Sequence, residues 1–102
     1  MVVRVNNKSV VIEIENIVRV NALADYCILY TTNGDKYVTL STMHNMLERL
    51  GPLFIRVHRS HIINSLHVKQ FTTSKIYLYH NSSIVPIGRL YKGVAVSKLN
   101  SR

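Results

Sequence analysis

The dipeptide Asn33-Gly34 constrains this chain most, because it separates two runs of residues that favour β-strands. The runs are Tyr26–Thr31 and Lys36–Leu40, and both are rich in β-branched and aromatic side chains. Asn-Gly accepts the positive φ angles that a tight turn requires, so this pattern is the strongest short-range indication of a β-hairpin. The sequence therefore predicts an antiparallel hairpin over residues 26–40.

Short β-type runs make up most of the rest of the chain. They are Val2–Val5, Ser9–Ile14, Ile17–Val20, Phe54–Val57, His61–Asn64, Val68–Thr72, Lys75–His80 and Ser83–Ile87. Many short strands at close spacing are typical of an antiparallel all-β domain. The expected fold class is therefore mainly β, with little room for helices.

One short helix is predicted over Thr42–Leu50. Its apolar stripe recurs at three- and four-residue spacing and consists of Leu40, Met43, Leu47 and Leu50. Ser41 is the expected N-cap, and Gly51-Pro52 ends the helix.

The C-terminal tail, Arg89–Leu99, allows a second short helix but indicates it less clearly. Leu90, Val94 and Lys98 lie on one helical face, whereas Gly93 weakens the helical pattern. We therefore expect one packed helix and leave a short C-terminal helix open.

The length of 102 residues fits a single domain, and the 47% of hydrophobic residues is typical of a globular protein. The lone Cys27 cannot form an internal disulfide and lies among apolar neighbours, which favours a place in the core. No apolar run approaches the length of a membrane span, and the N-terminus lacks the features of a signal peptide. These absences are compatible with the cytoplasm, and also with a fragment of a longer chain.

The charge is distributed unevenly along the chain. The net charge is +8, and all five acidic residues lie within residues 1–48, beside four basic ones. Residues 49–102 hold nine basic side chains and no carboxylate. Arginines without internal partners must be solvated or must meet an external polyanion, of which nucleic acid is the leading candidate. An anionic membrane is the second, but the chain shows no basic amphipathic helix.

The segment Phe54–Asn64 is the most unusual in the chain. Two hydrophobic runs bracket His58-Arg59-Ser60, so a cation, an imidazole and a hydroxyl stand at a junction between strands. Arginine matches guanine O6 and N7 or a phosphate, and serine and histidine donate to phosphate oxygens. A solvated basic turn is the alternative, and composition alone does not separate the two.

Three motifs in order resemble the LytTR family of bacterial DNA-binding domains. The first motif is Ile17–Ala22 with Asp25-Tyr26, which resembles the family's first strand and loop. The central motif is Arg56–Asn64, which resembles the F-x-R-x-H-R-S-[aromatic]-x-[aliphatic]-N signature. The third is Val85–Tyr91, which resembles the closing motif of the family. The resemblance covers almost the whole chain. His61 stands in place of the usual aromatic residue, Gly88 in place of serine, and Asn21 in place of a frequent glutamate, which affects base preference and one phosphate contact.

The resemblance implies elongated antiparallel β-sheets with one short helix, which bind double-stranded DNA through loops in successive major grooves. The base-contacting residues would be Tyr26, Arg59 and Arg89. Asn64 would be structural. The phosphate contacts would be Arg56, His58, Ser60, His61, Tyr91 and Lys92.

The resemblance also implies a biological setting. Residues 1–102 would form one LytTR-like domain, the C-terminal output domain of a longer cytoplasmic transcriptional regulator with a receiver domain. The partner would be double-stranded DNA, including tandem direct repeats, and the isolated domain would be monomeric off DNA. No enzyme activity, cofactor, metal, membrane or small-molecule substrate is expected.

Two alternatives belong to other classes of protein. A small basic ribonuclease would use His58 or His61 with an arginine and Tyr26, although nothing in the sequence arranges two histidines as an acid–base pair. An RNA-binding β-module would stack bases on Tyr77 and Tyr79, whose alternation with apolar residues favours an ordinary strand instead. A metal at His58 and His61 is disfavoured, because residues three apart on a strand point to opposite faces.

Overall fold

The computed structural model describes residues 1–80 and 82–101. Asn81 and Arg102, the latter one of the nine basic residues of the second half, lie outside this part. The described strands are β1 (Val2–Val5), β2 (Lys8–Val11), β3 (Ile17–Leu23), β4 (Tyr26–Thr31), β5 (Lys36–Leu40), β6 (Phe54–His58), β7 (His61–Asn64), β8 (Val68–Phe71), β9 (Lys75–Leu78) and β10 (Ile84–Pro86). The helices are α1 (Met43–Leu50), α2 (Lys92–Asn100) and three single-turn 3-10 helices, Ile14–Asn16, Ser65–His67 and Arg89–Tyr91.

The strands form three antiparallel sheets. The central sheet has the order β5-β4-β3-β7-β6, a second sheet has the order β10-β9-β8, and β1 pairs with β2. The domain is elongated, with extents of 39 × 25 × 20 Å. The mainly β, antiparallel fold with a short C-terminal helix is thus confirmed. Within the described residues, no helix has the length and apolar character that crossing a membrane requires.

Two hairpins show how local sequence determines pairing. The Asn33-Gly34 hairpin is confirmed, with Gly34 at φ 88° and β4 paired with β5. A second hairpin, joining β1 and β2, was not expected. Asn6 and Asn7 both have positive φ, 50° and 64°, which fits a two-residue turn of the same mirror-image type. The predicted strand over residues 9–14 is wrong at its end, because β2 stops at Val11 and a 3-10 turn follows.

Helix α1 is present, but its cap and its buried stripe differ from the prediction. The hydroxyl of Thr42, not that of Ser41, accepts the hydrogen bond from the Asn45 N–H, at 3.1 Å. Leu40 is 71% exposed because it ends β5 on the outer face of the sheet, opposite Tyr26. The buried face of the helix consists of Met43, Met46 and Leu50.

The central sheet separates two hydrophobic cores. Side chains normally alternate along a strand, but the register of β3 against β4 shifts between Ile17 and Arg19, so Val18 and Val20 point to opposite faces and join different cores. The first core lies beneath α1 and the β1–β2 hairpin and consists of Val3, Ile12, Ile17, Val20, Cys27, Leu29, Met43, Met46, Leu50, Phe54 and Ile62. The second lies beneath the three-stranded sheet and α2 and consists of Val18, Ile55, Val57, Ile63, Val68, Ile76, Leu78, Val85, Ala95 and Leu99.

The C-terminal tail is helical, but it buries a different face from the expected one. Ala95 and Leu99 are buried, whereas Leu90 is 91% exposed and Val94 is 58% exposed. The 3-10 turn at Arg89–Tyr91 has three residues per turn, which changes the phase of the side chains before α2 begins. Helix α2 therefore packs against the second core through Ala95 and Leu99.

Candidate nucleic-acid interface

Three separate chain segments meet at one end of the central sheet. The middle segment is the β6–β7 turn, which contains Arg59 and Ser60. The N–H of Ala22, at the end of β3, donates a hydrogen bond of 3.0 Å to the carbonyl of Ser60. On the other side, the N–H of Gly88 donates a bond of 2.7 Å to the carbonyl of Val57. Backbone hydrogen bonds thus fix all three segments to one scaffold.

Arg59 borders two concave surfaces. One is a cleft of about 650 Å³ that it shares with Tyr26, Arg56 and Ser60. The other is a depression of about 250 Å³ that it shares with Arg89. Arg59 and Arg89 are exposed, and Tyr26 is 45% exposed. The structure therefore brings together the three side chains that the sequence selected for base contacts.

Arg56 supports the turn that carries Arg59. Its Nη2 donates a hydrogen bond of 2.7 Å to the Arg59 carbonyl oxygen, and its guanidinium carbon lies 5.7 Å from the centre of the Tyr91 ring. Its Nε is buried and has no hydrogen-bond partner among the described residues. The contacts of Arg56 in the structure are therefore with protein groups, and a phosphate contact remains a prediction.

His58 and His61 face each other across the β6–β7 hairpin. They are partners in the strand register, and their ring centres lie 5.0 Å apart. The expectation that they point to opposite faces is wrong, because a turn separates them and they do not lie on one continuous strand. Nδ1 of His58 accepts a hydrogen bond of 3.0 Å from the Ser60 N–H, which closes the turn. In the described part of the chain, no three potential metal ligands cluster.

His61 also contacts β3. Its Nδ1 lies 2.9 Å from Oδ1 of Asn21, and the same oxygen accepts a bond of 2.9 Å from Arg19. Because Oδ1 can only accept, His61 donates through Nδ1–H. The Arg19 guanidinium in turn stacks on Tyr30, 3.8 Å from the ring centre. Burial lowers the pKa of His61, and the charges of His58 and Arg19 lower it further.

Sequence reasoning noted His61 and Asn21 as separate departures from the family pattern but missed that they touch. Asn21 and His61 are direct register partners between β3 and β7. Arg19 was not selected at all. The pairing of β3 with β7 would have revealed this contact, because it places Asn21 and His61, the two residues that differ from the family pattern, next to each other.

Gly88 allows the closing segment to approach the β6–β7 turn. A Cβ at this position would lie 3.2 Å from Cδ2 of Tyr91 and 3.3 Å from Cα of His58. The Tyr91 N–H donates to the Gly88 carbonyl at 2.9 Å, which forms the 3-10 turn. Tyr91 is half-buried, whereas Arg89, Leu90 and Lys92 are exposed. Leu90, which the sequence did not indicate for this surface, also borders the depression.

The cations of this surface are not neutralised by the protein. Within the described ranges, the only contact between a basic and an acidic side chain at salt-bridge distance joins His44 Nε2 and Glu48 of α1, at 3.1 Å. No lysine or arginine of this part of the chain takes part in a salt bridge. The basic side chains around Arg59 are therefore not paired with a carboxylate of the described residues and are available to an external anion.

Comparison with known proteins identifies the class to which this basic, loop-bearing β-domain belongs. The profile of the LytTr DNA-binding domain matches residues 7–99, so the chain belongs to the LytTr family of DNA-binding domains. This family consists of DNA-binding domains of regulators and is not a class of enzymes.

Individual relatives agree with this assignment. The chain is 30% identical over 94 residues to the transcriptional regulatory protein LytR of Staphylococcus aureus strain N315, and equally to LytR of strain NCTC 8325 / PS 47. Each alignment covers 87% of this chain and 38% of the relative, so the chain spans about two fifths of the length of these relatives.

A solved structure shares the fold. It is the LytTr DNA-binding domain of a putative methyl-accepting/DNA response regulator from Bacillus cereus, matched with a TM-score of 0.75 at 20% identity. The match covers 97% of this chain and 94% of that one.

Proposed function

We propose that this chain binds double-stranded DNA sequence-specifically as the DNA-binding part of a bacterial transcriptional regulator. The observation that carries the proposal is the position of Arg59, which borders both the cleft of Tyr26 and the depression of Arg89. Arg59 thus shares one concave surface with each of the other two side chains, and all three would reach the edges of bases. Family membership supports DNA as the partner.

Arg59, Arg89 and Tyr26 suit direct readout of bases. Arg59 and Arg89 would each donate two hydrogen bonds to guanine O6 and N7, the commonest specific contact in the major groove. Tyr26 would contact a third base. We propose that the loops reach successive major grooves, as the family resemblance implies; the elongated shape of the domain, 39 Å in its long dimension, is compatible with this arrangement.

Other side chains would hold the DNA backbone. Arg56 would act mainly by fixing the Arg59 turn, which its hydrogen bond to the Arg59 carbonyl supports. Phosphate oxygens would be held by Ser60, His58, His61, Tyr91 and Lys92. Because no carboxylate pairs with the lysines and arginines of the described residues, binding would release many counterions and weaken steeply with salt.

The whole protein would be longer than this domain. Relatives that carry the domain are transcriptional regulatory proteins, and the domain makes up 38% of their length. We propose that this chain is the output domain of such a cytoplasmic regulator, controlled by a receiver domain, and that two copies bind tandem direct repeats. Off DNA the isolated domain would be monomeric.

Selection of bound duplexes from a random-sequence pool tests the proposal. The wild type would recover a short motif, and Arg59→Ala or Arg89→Ala would each blur one position of it and weaken binding by about 1–3 kcal/mol. Arg4→Ala removes the same group from an exposed position on β1 and is the matched control, with no change in the motif. Recovery of no motif, with binding that depends on charge alone, would refute the proposal.

That negative result would bring the other classes forward. His58 and His61 lie close together, so cleavage of RNA would then be assayed directly. Preferred binding of single-stranded RNA would instead favour the RNA-binding alternative.

A further inference from the structure

Leu90 is the most exposed large apolar side chain of the described residues, at 91%. It contributes to neither hydrophobic core. It lies between Arg89 and Tyr91 and borders the depression that Arg59 and Arg89 also line. Because Leu90 is almost wholly in water beside basic side chains, its burial contributes little to the stability of the fold.

The 3-10 turn determines the direction of Leu90. Three residues complete one turn, so successive side chains point about 120° apart. Tyr91 points inward, because its ring is half-buried and packs beside Gly88. Arg89 and Leu90 are exposed and project outward. The hydrogen bond from the Tyr91 N–H to the Gly88 carbonyl fixes the turn. Leu90 is therefore presented on a rigid element beside Arg89.

The major groove offers one strongly apolar feature, the C5 methyl group of thymine. We infer that Leu90 contacts the methyl group of a thymine next to the base that Arg89 reads, and so adds a base preference that hydrogen bonding alone does not supply. This inference rests on the proposed function. It makes the depression around Arg59 and Arg89 a mixed site, in which cations recognise hydrogen-bond acceptors and Leu90 recognises an apolar group.

A protein partner is the other occupant that an exposed leucine could meet. Val94 is 58% exposed and follows Leu90 by four residues, so it is the next exposed large apolar side chain along the described chain. The basic surroundings of Leu90 and its place beside Arg89 favour DNA over such a partner. Val94 is therefore the matched control, because it is also apolar and exposed but lies outside the depression.

The test replaces single thymines of the selected duplex by deoxyuridine, which removes one methyl group and leaves the hydrogen-bonding edge unchanged. At one position, wild-type affinity should fall about fourfold, the value for one buried methyl-sized group. Leu90→Ala should bind the thymine duplex about fourfold or more weakly than the wild type does and should not distinguish thymine from deoxyuridine there. Val94→Ala should behave like the wild type.

The outcomes separate the inference from the proposed function. If the wild type selects a motif that depends on Arg89 but is indifferent to every thymine methyl, the inference is overturned and the proposed function stands. Equal weakening by Leu90→Ala and Val94→Ala, on both duplexes, would overturn it in favour of a protein contact. If the wild type selects no motif at all, both fail. Sensitivity to one methyl group that disappears only in Leu90→Ala establishes the contact.

Discussion

His61 donates a hydrogen bond from Nδ1 to the side-chain oxygen of Asn21, 2.9 Å away, across the pairing of β7 with β3. The bond orients one imidazole at the edge of the proposed DNA surface. It also joins the middle segment to Arg19, which donates to the same oxygen. The site is thus held by side chains as well as by backbone hydrogen bonds.

The lowered pKa of His61 predicts how stability depends on pH. Burial and the charges of His58 and Arg19 disfavour the protonated ring, so its pKa in the folded protein lies below the ordinary 6.5. As pH falls through 6.5, the unfolded chain binds this proton before the folded one does. The free energy of unfolding should therefore be highest above this pH and should decrease below it.

Urea denaturation at a series of pH values, with His61→Phe beside the wild type, measures this effect. Phenylalanine keeps an aromatic ring but does not titrate, so the variant should lose stability less steeply as pH falls below 6.5. Parallel curves for the two proteins would show that His61 is not the titrating group.

Arg56 should affect stability and DNA binding together. Arg56→Ala removes the hydrogen bond to the Arg59 carbonyl, and we expect a loss of about 1–2 kcal/mol in the free energy of unfolding. Affinity should fall more for the selected duplex than for a scrambled one, because the loosened turn carries Arg59, which is proposed to read a base. Lysine keeps the charge but lacks the planar guanidinium, so Arg56→Lys should restore little. Equal weakening on both duplexes, without loss of stability, would instead make Arg56 a phosphate contact.

Lys92 offers a test of the phosphate contacts. It is exposed at the start of α2, next to Tyr91. Lys92→Ala should reduce the slope of log affinity against log salt by about 0.9, the value for one phosphate. Lys69→Ala, which removes a charge from an exposed position on β8, should leave the slope unchanged. The same reduction in both variants would indicate a general effect of net charge.

Asn64 should be structural, as its buried amide indicates. Its Nδ2 donates to the carbonyl of Ile17 at 2.9 Å, and its Oδ1 accepts from the N–H of Leu66 at 3.0 Å, with no exposure to solvent. Asn64→Leu leaves both backbone groups without partners, and we expect a loss of about 2–4 kcal/mol. Chemical denaturation measures it. Asn64→Asp, which keeps only the acceptor, should also be destabilising, and full stability in either variant would contradict the assignment.

Local sequence patterns predicted most strands well, because the tendency to form a strand or a hairpin depends mainly on residues that are close together in the sequence. The Asn33-Gly34 hairpin and the alternation of Ile76 and Leu78 with tyrosines are examples, and the latter two apolar residues are buried. The Asn6-Asn7 turn was missed because asparagine pairs specify a turn less strongly than Asn-Gly does. The cap of α1 was assigned one residue too early, since Ser41 and Thr42 are chemically equivalent candidates.

The sequence identified which residues belong to the candidate site, but it did not show how they are arranged in space. Arg59 and Arg89 were found through their motifs, 30 positions apart. That they share one depression depends on the bond between Gly88 and Val57, which joins distant parts of the chain. For the same reason, the contact of His61 with Asn21 and the exposure of Leu90 required the tertiary structure.

The central sheet is the common wall of the two hydrophobic cores, and this has a consequence for unfolding. Ile17 and Val18, and likewise Ile62 and Ile63, are adjacent residues that belong to opposite cores. Neither core can separate from the wall without disturbing the strands that support the other. The domain should therefore melt as a single cooperative unit, and the reading loops at its end should keep their relative positions until the entire domain is lost.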